Sequence, residues 1–596
     1  MPSEYDVILS GGGTASCVIA GRLADANPSL KILVVEAGPH TLNEPAHVQP
    51  ARFGTHLVPG SKTMTFHVTA PEEAMGGRRS VVPCAQAVGG GSTVNFMMYT
   101  RTSASDFDDW EKFDNSGWGS KDLIPLVKKS ETYQVAPGKD THGYSGPLRV
   151  SYGSFFTNIG RDFLDVAPKY DTSRGLTEDP NTMHAEGINR WVDAETGTRS
   201  DTAHHYLYKK NHSNVTIITG HLVKRVVFEY KRAVGIEYVE NPRMYPNTTG
   251  EVTFVRARRL VVVSAGSLGS PGVLERSGIG AKSVLEKCGV KPIADLPGVG
   301  ENYQDHNILF NACVASEDSQ TLDPIVRQTE PEYSTIVEWN EQWLKDGTGL
   351  MTNNSVDAGI RLRPDERELE QIGPEFTETW NELYANAPDK PVMWMGVISM
   401  LVGDILNAPI GKYFSSSYYL AYPSARGFVH ITSDDPTVLP HFETGYLKHA
   451  DDVALLRWAY KRSREISRRM PCYRGEYAPW HPRFPEGSAA AAGLDVRPVA
   501  VDAPDLLYTA EDDKAIEQHM KEYLNTTWHA LGTCAMKPRE QGGVVDPRLN
   551  VYGVEGLKVA DCSIPPSNVG TNTYSTTLAI AEKAAVLIAE DLGIQV

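Results

Sequence analysis

The chain has 596 residues, 41% of them hydrophobic and 22% charged, with a formal net charge of −17 at pH 7. That length exceeds what one compact core accommodates, so two or more domains are expected. The acidic balance and the lack of a long basic run exclude a nucleic-acid partner, because such binding rests on clustered Lys and Arg.

The first predicted element is Tyr5-Asp6-Val7-Ile8-Leu9-Ser10, a short apolar run with β-branched residues that reads as a buried parallel strand. The residues from Met1 show neither a basic n-region nor an apolar h-region, which predicts an intracellular, cytoplasmic chain. The loop Gly11-Gly12-Gly13-Thr14-Ala15-Ser16 follows and leads into a helix through Ala24. A second apolar strand, Lys31 to Val35, ends at Glu36. Together these form a βαβ dinucleotide fingerprint. Gly11 permits the tight turn, Gly13 lets backbone approach a pyrophosphate, and the helix N-terminus stabilises its charge. Glu36 is placed to accept hydrogen bonds from a ribose hydroxyl. Ser16 stands where a third glycine usually brings helix and strand together, and serine is small enough to fit there. This unit alone leaves FAD and NAD both open.

Further along, Val88 to Phe96 reads as a glycine-rich turn opening a helix, able to bring backbone against a flat cofactor. A strand at Leu260 to Ser264 precedes the glycine-rich block Gly266 to Gly280, and Leu296 to His306 forms another block. The apolar stretch Val392 to Val402, broken by Asp404, is too short to span a bilayer. The alternating runs Tyr413 to Tyr422 and Gly427 to Thr432 predict strands of one antiparallel sheet. Three blocks close the chain: Thr527 to Cys534, Gly556 to Ile564, and Gly570 to Ser575 leading into a helix from Tyr574 to Ala589. Seven well-separated cysteines form no CxxC pair, which suits reduced thiols better than a disulfide framework or a zinc site. His204 and His205 show no metal spacing, and no metal site is expected. The last residues, Ile594-Gln595-Val596, do not resemble a peroxisomal address.

In order and separation, these blocks resemble the glucose–methanol–choline (GMC) oxidoreductase family over essentially the whole chain. Within that family the chain resembles the fungal alcohol (methanol) oxidases. Asn95 to Arg101, Ser103 to Asp106, Asp109-Trp110, Ser200 to His204, Pro423 to Thr432, Tyr460 to Met470, Thr526 to His529 and Asn568 to Tyr574 carry that likeness. The resemblance implies FAD as cofactor and a small alcohol and O2 as substrates. The region after His481 and the C-terminus are shorter than in the methanol oxidases, which bears on whether this chain forms a homo-oligomer.

Alcohol oxidation, the chemistry this resemblance implies, needs a base for the hydroxyl proton, a donor that holds the oxygen, and a hydride acceptor. His529 is the candidate base, since neutral imidazole has a basicity suited to work near neutral pH. Asn572 is the candidate donor to the substrate oxygen, and it also stands where a helix N-cap would. The resemblance further implies cofactor contacts at Gly11, Gly13, Thr14, Ala15, Glu36, Gly91, Asn95, Met97, Val223, Asp561 and Thr573. Val94 occupies the position where some relatives attach flavin through histidine, so the FAD is expected to be non-covalent. Phe96, Met98 and Trp528 match positions lining a tight pocket, which points to short primary alcohols.

The expected fold is α/β: a Rossmann-like FAD-binding domain built from residues 1–155, 215–310 and 525–596. A discontinuous substrate domain on an antiparallel sheet takes residues 156–214 and 311–524. Three other activities fit the same scaffold: a dehydrogenase using another electron acceptor, an oxidase of larger or aryl alcohols, and a hydroxynitrile-lyase-type enzyme with structural FAD.

Overall fold

A computed structural model describes residues 4–58, 60–177, 179, 184–329, 332–491 and 496–595, with the side chains of 184–186 outside that description. Met1 to Ser3 and Val596, which carry part of the addressing expectation, lie outside the described residues.

The first sheet begins from the expected nucleotide-binding unit. Strands Val215–Ile218, Ile32–Val35, Glu4–Ser10 and Thr253–Val263 lie side by side in parallel. Ile32–Val35 is buried at every position, as expected of a parallel strand covered on both faces. Thr253–Val263 is long enough to serve two further partners besides Glu4–Ser10. The hairpin His221–Glu229 with Arg232–Glu240 pairs antiparallel with its start, and Leu557–Val559 runs parallel with its end. The chain's last part thus joins the same sheet as its first, with Thr253–Val263 between them.

The helices Thr14–Ala26 and Thr573–Leu592 pack against each other. Arg22 donates Nε and Nη2 to the carboxylate of fully buried Glu582 at 2.9 and 2.7 Å, and the Tyr206 hydroxyl adds a bond of 2.8 Å. Breaking a buried, hydrogen-bonded ion pair from one side costs about 3–5 kcal/mol. This pair therefore holds the helix that follows the glycine loop against the helix that follows Asn572.

The second sheet is antiparallel throughout, in the order Tyr473–Glu476, Asn307–Ala315, Tyr413–Leu420, Met393–Ile398, Val356–Leu362, His184–Gly187. Asn525–Thr526 joins it at the start of Asn307–Ala315. The two central strands are buried along their whole length, so both faces are covered. Met395 and Tyr418 share one core with the helix Ala450–Ser467, while their neighbours Trp394 and Tyr419 face a cavity. Trp394 and Tyr419 are cross-strand partners whose rings stack at 5.6 Å.

Two expectations about elements are corrected. Phe428–His430 is a strand, but it pairs with His441–Glu443 in a separate two-stranded sheet rather than joining the large one. Alternation specifies a strand and leaves its partner to tertiary contacts; here Val429 donates to the Gly300 carbonyl at 2.8 Å. The turn after Val88 opens only a 3-10 segment, Gly90–Thr93. Gly89 and Gly90 adopt φ of 95° and 53°, which a continuing right-handed helix cannot accommodate. Among the described residues, no helix is long and apolar enough to cross a membrane.

Candidate active site

One cavity of about 640 Å³ joins the two sheets, and all the cofactor, pocket and catalytic candidates named above line it. Its volume lies in the range of roughly 300–1,000 Å³ typical of small-molecule and cofactor sites.

At the nucleotide end, Gly11 has φ of 101°, and a Cβ there would meet the Ser264 carbonyl oxygen at 2.5 Å. Ser16 takes the third glycine position fully buried, donating its hydroxyl to the Gly11 carbonyl at 2.5 Å. Glu36 is likewise buried, and its carboxylate accepts the Gly12 and Gly38 amides at 2.7 and 2.8 Å. Burial pushes its pKa up while the amide donors pull it down.

Gly13 behaves differently from Gly11. A Cβ there would meet nothing closer than Gly90 Cα at 3.9 Å, and one at Gly91 would meet nothing within 4 Å. Protein packing does not demand glycine at either position, yet both border the cavity. A ligand drawn close to backbone does demand it. Gly13 also caps the helix Thr14–Ala26, whose opening amides are suited to phosphate. The donor set therefore fits a dinucleotide such as FAD. Val223 and Glu36 border the same cavity as Asn95, Met97 and Thr573.

Asp561 is engaged within the protein. Its carboxylate accepts from Gly266 N–H at 2.8 Å, the Ser270 hydroxyl at 2.6 Å and Ser563 N–H at 2.8 Å, bracing the loop after Thr253–Val263. Asn95 Oδ1 accepts from Met97 N–H at 3.0 Å and from buried Arg199 at 2.8 Å. This holds Met97 at φ of 54°, an uncommon conformation for a residue other than glycine.

At the other end, pairing between distant segments delivers the catalytic candidates. Gln304 bridges Leu531, and Asn307 pairs with Thr526, so the two residues between on one side, Asp305 and His306, oppose the four from Thr527 to Ala530 on the other. The surplus forms a bulge. Trp528 sits in it at φ of 60°, and the Trp528 and His529 side chains reach the cavity. Asp305 anchors the bulge. Its Oδ1 accepts the backbone N–H of His306 at 2.8 Å and of His529 at 2.9 Å. Its Oδ2 accepts the hydroxyls of Tyr303, Tyr446 and Thr526 at 3.0, 2.9 and 2.5 Å.

Asn572 Nδ2 lies 3.1 Å from His529 Nε2. Asn572 occupies the N-cap position of Thr573–Leu592, but its side chain points to His529 rather than to the helix amides. Thr100 and Tyr419 hydroxyls donate to its Oδ1 at 3.4 and 3.2 Å, and Met98 Sδ lies 3.9 Å from its Nδ2. His529 Nδ1 lies 2.9 Å from His306 Nδ1. His529 is only 8% exposed, and burial, then the neighbouring His306, holds its pKa well below 6.5. It is therefore a neutral imidazole at neutral pH.

The aromatic wall is continuous. Phe96 packs between Phe53 and Trp528, with ring centroids 4.2 and 5.1 Å away. Asn354 donates to the Phe96 carbonyl at 2.5 Å and is itself held by Arg190 Nε at 2.6 Å. Arg190 is fully buried and paired with Asp357. No local sequence signal marks Asp305, His306, Trp394, Tyr419 or Asn354 as site residues. His306 closes the block from Leu296, yet nothing local announces its contact with His529.

The sequence matches the family model described as GMC oxidoreductase over residues 5–308 for its N-terminal part and 423–581 for its C-terminal part. The chain is 41% identical to the alcohol oxidase of Candida boidinii over 647 residues, covering 100% of this chain and 96% of that protein. It is 40% identical to alcohol oxidase 1 of Komagataella phaffii over 646 residues, again with 100% and 96% coverage. Among solved structures it is similar to an FAD-dependent oxidoreductase from Chaetomium thermophilum. That match has a TM-score of 0.80 and 26% identity, covering 99% of this chain and 100% of the other.

Proposed function

The chain belongs to the GMC oxidoreductase family, and from that premise we propose that it is an FAD-dependent alcohol oxidase. It converts a primary alcohol of short chain and O2 into the aldehyde and hydrogen peroxide. The observation that carries this reading is the convergence of His529 Nε2 and Asn572 Nδ2, 3.1 Å apart, on one cavity with the glycine loop.

Gly13, Gly91 and the amides opening Thr14–Ala26 would hold the cofactor's pyrophosphate, with Thr14 and Ala15 in that first turn. Glu36 and Val223 would take the adenosine end and Asp561 the ribityl or pyrophosphate region. Asn95, Met97 and Thr573 would take the end nearer the catalytic pair. Bound FAD supplies a hydride acceptor and a source of electrons for O2. Val94 offers no side chain for a covalent link, so the FAD is held non-covalently.

The substrate hydroxyl replaces the bond between Asn572 and His529: it accepts from Nδ2 and donates to Nε2. Thr100 and Tyr419 fix the Asn572 carboxamide so that its N–H faces the cavity. His529, kept neutral by burial, takes the hydroxyl proton as the carbon gives up hydride. A base so positioned contributes about 10²–10⁴-fold in rate. The amides opening Thr573–Leu592 favour negative charge nearby. Phe96, Met98 and Trp528 close the space above the pair, which favours short chains over bulky ones. The FAD-binding domain takes residues 1–155, 215–310 and 525–596 and the substrate domain residues 156–214 and 311–524.

The test is anaerobic mixing of the holoenzyme with ethanol, followed by air. Flavin bleaching and fast recovery are expected. Bleaching with slow recovery assigns a dehydrogenase, and no bleaching with any alcohol assigns a lyase.

A further inference from the structure

We propose that His306 is a positioning residue that sets which nitrogen of His529 is bare and faces the substrate. The inference deepens the oxidase reading and rests on it for the base's role, but its structural basis is separate. It comes from following protons along a buried chain of four groups.

The chain starts at a peptide carbonyl. His306 Nε2 lies 2.7 Å from the Val569 carbonyl oxygen, which can only accept, so the His306 proton is on Nε2. Burial lowers the His306 pKa to about 4, so the ring is neutral and its Nδ1 is a bare acceptor. The facing atom, His529 Nδ1 at 2.9 Å, must then be the donor. A neutral His529 with its proton on Nδ1 has a bare Nε2.

The other end of the chain agrees. Two hydroxyls donate to Asn572 Oδ1, which turns its Nδ2 toward His529 Nε2. That N–H needs a lone pair to meet, and the Nδ1–H form of His529 supplies one. The rings are also held in place. Tyr419 stacks on His306 at 5.0 Å with 11° between planes, and His529 stands nearly perpendicular to His306 at 82°. Asp305 fixes the backbone of both histidines. The titratable groups packed around the pair are Asp305, Tyr303, Tyr446 and Tyr419. The Asp305 carboxylate takes up the hydroxyls of Tyr303 and Tyr446, and the Tyr419 hydroxyl donates to Asn572.

Two consequences follow for the reaction. The tautomer with bare Nε2 is the only neutral form of His529 that can take the alcohol proton. Once that proton is bound, the His529 Nδ1–H still has His306 Nδ1 as its acceptor, which steadies the imidazolium. The chain ends on a carbonyl that accepts no proton, so the proton stays at His529 until the oxygen half-reaction consumes it in hydrogen peroxide.

Two variants separate this role from packing. In His306→Asn the side-chain oxygen reaches the position of Nδ1 and still accepts from His529. In His306→Gln the amide reaches Val569 instead and leaves His529 Nδ1–H without its acceptor. The 15N spectrum of histidine-labelled holoenzyme reads the tautomer directly, and His529 is assigned by the signal missing from His529→Gln. We expect His529 as the Nδ1–H form in the wild type and in His306→Asn, with Nε2–H signal appearing in His306→Gln. Anaerobic flavin reduction by ethanol should fall about 10- to 1,000-fold in His306→Gln relative to His306→Asn, short of the roughly 10⁴-fold cost of a fully wrong tautomer. An Nε2–H form of His529 in the wild type overturns the proposal. So do equal reduction rates and equal His529 signals in the two variants. A wild type that no alcohol reduces would defeat the oxidase reading instead, leaving the tautomer to be judged by the spectrum.

Discussion

Asn572→Asp is the sharpest perturbation of the catalytic pair, because it exchanges one donor for one charge without changing shape. In the wild type, Asn572 Nδ2 faces His529 Nε2 at 3.1 Å, while Thr100 and Tyr419 hold the other end of the carboxamide. Those two hydroxyls donate equally well to a carboxylate, so the aspartate keeps the same orientation and directs an anionic oxygen at Nε2. An opposite charge within about 4–6 Å stabilises the protonated ring by about 1–3 pKa units. His529 starts well below 6.5, pushed there by burial and then by His306. The base works only when neutral, so activity is present above its pKa and is lost as pH falls through it. The wild type should therefore hold its reduction rate as pH falls through 6.5, and lose it only in stronger acid. In Asn572→Asp that acid limb should rise by about 1–3 pH units. Above the limb the rate should still be lower than in Asn572→Ala, because the developing alkoxide then faces a carboxylate. Asn572→Ala itself loses one hydrogen bond to a charge-developing oxygen, about 1.5–3 kcal/mol. At about 1.4 kcal/mol per tenfold, that is a 10- to 100-fold slowing with the limb unmoved. The assay is stopped-flow flavin bleaching by saturating ethanol without oxygen, across neutral and acid pH. An acid limb shared by the Asp and Ala variants, or a wild-type limb at or above 6.5, would refute the reasoning.

Other expectations concern the base, the cofactor and the wall. His529→Ala should keep bound FAD yet slow flavin reduction by about 10²–10⁴-fold; a variant reduced at the wild-type rate means another group takes the proton. Acid precipitation should release the yellow chromophore into the supernatant, since Val94 forms no covalent link, and colour left in the pellet would contradict this. Phe96→Ser should raise the ratio of kcat/KM for glycerol to that for ethanol, where single methylenes are worth roughly 1–3 kcal/mol. An unchanged ratio would make Phe96 part of the core between Phe53 and Trp528 rather than a wall of the pocket.

What the sequence disclosed follows from the range of each signal. The strand Glu4–Ser10, the helix Thr14–Ala26 and the strand Ile32–Val35 are adjacent in sequence, and their periodicity and glycines are local properties, so they were legible. The strand at Phe428–His430 was legible as a strand, but its sheet was not, because alternation says nothing of the partner. At Asn572 the residue type suits both an N-cap and a substrate donor. Only the direction of its side chain, toward His529, separates the two. His306 was hidden most deeply. It meets His529 across 223 positions of sequence, through a two-residue strand too short to leave a pattern.

The seam between the sheets explains why the catalytic groups come from such short, irregular pieces. A regular strand fixes alternate side chains to opposite faces, one into each core. Neither core can hold a base, an amide donor and an open space together. The bulge at Trp528 breaks that alternation beside the start of Asn307–Ala315, and Asn572 reaches His529 from the start of a helix. Two non-glycine residues at this seam, Met97 and Trp528, adopt left-handed conformations, φ of 54° and 60°. Such backbone costs of order 1–3 kcal/mol each and persists only where neighbours dictate it. Here Asn95 holds the Met97 amide, and the Thr526 hydroxyl, itself bonded to Asp305, holds the Trp528 amide at 2.7 Å. Asp305 thus serves both the strain and the chemistry: the carboxylate that pins the bulge open also fixes the backbone of the two histidines that line up within it.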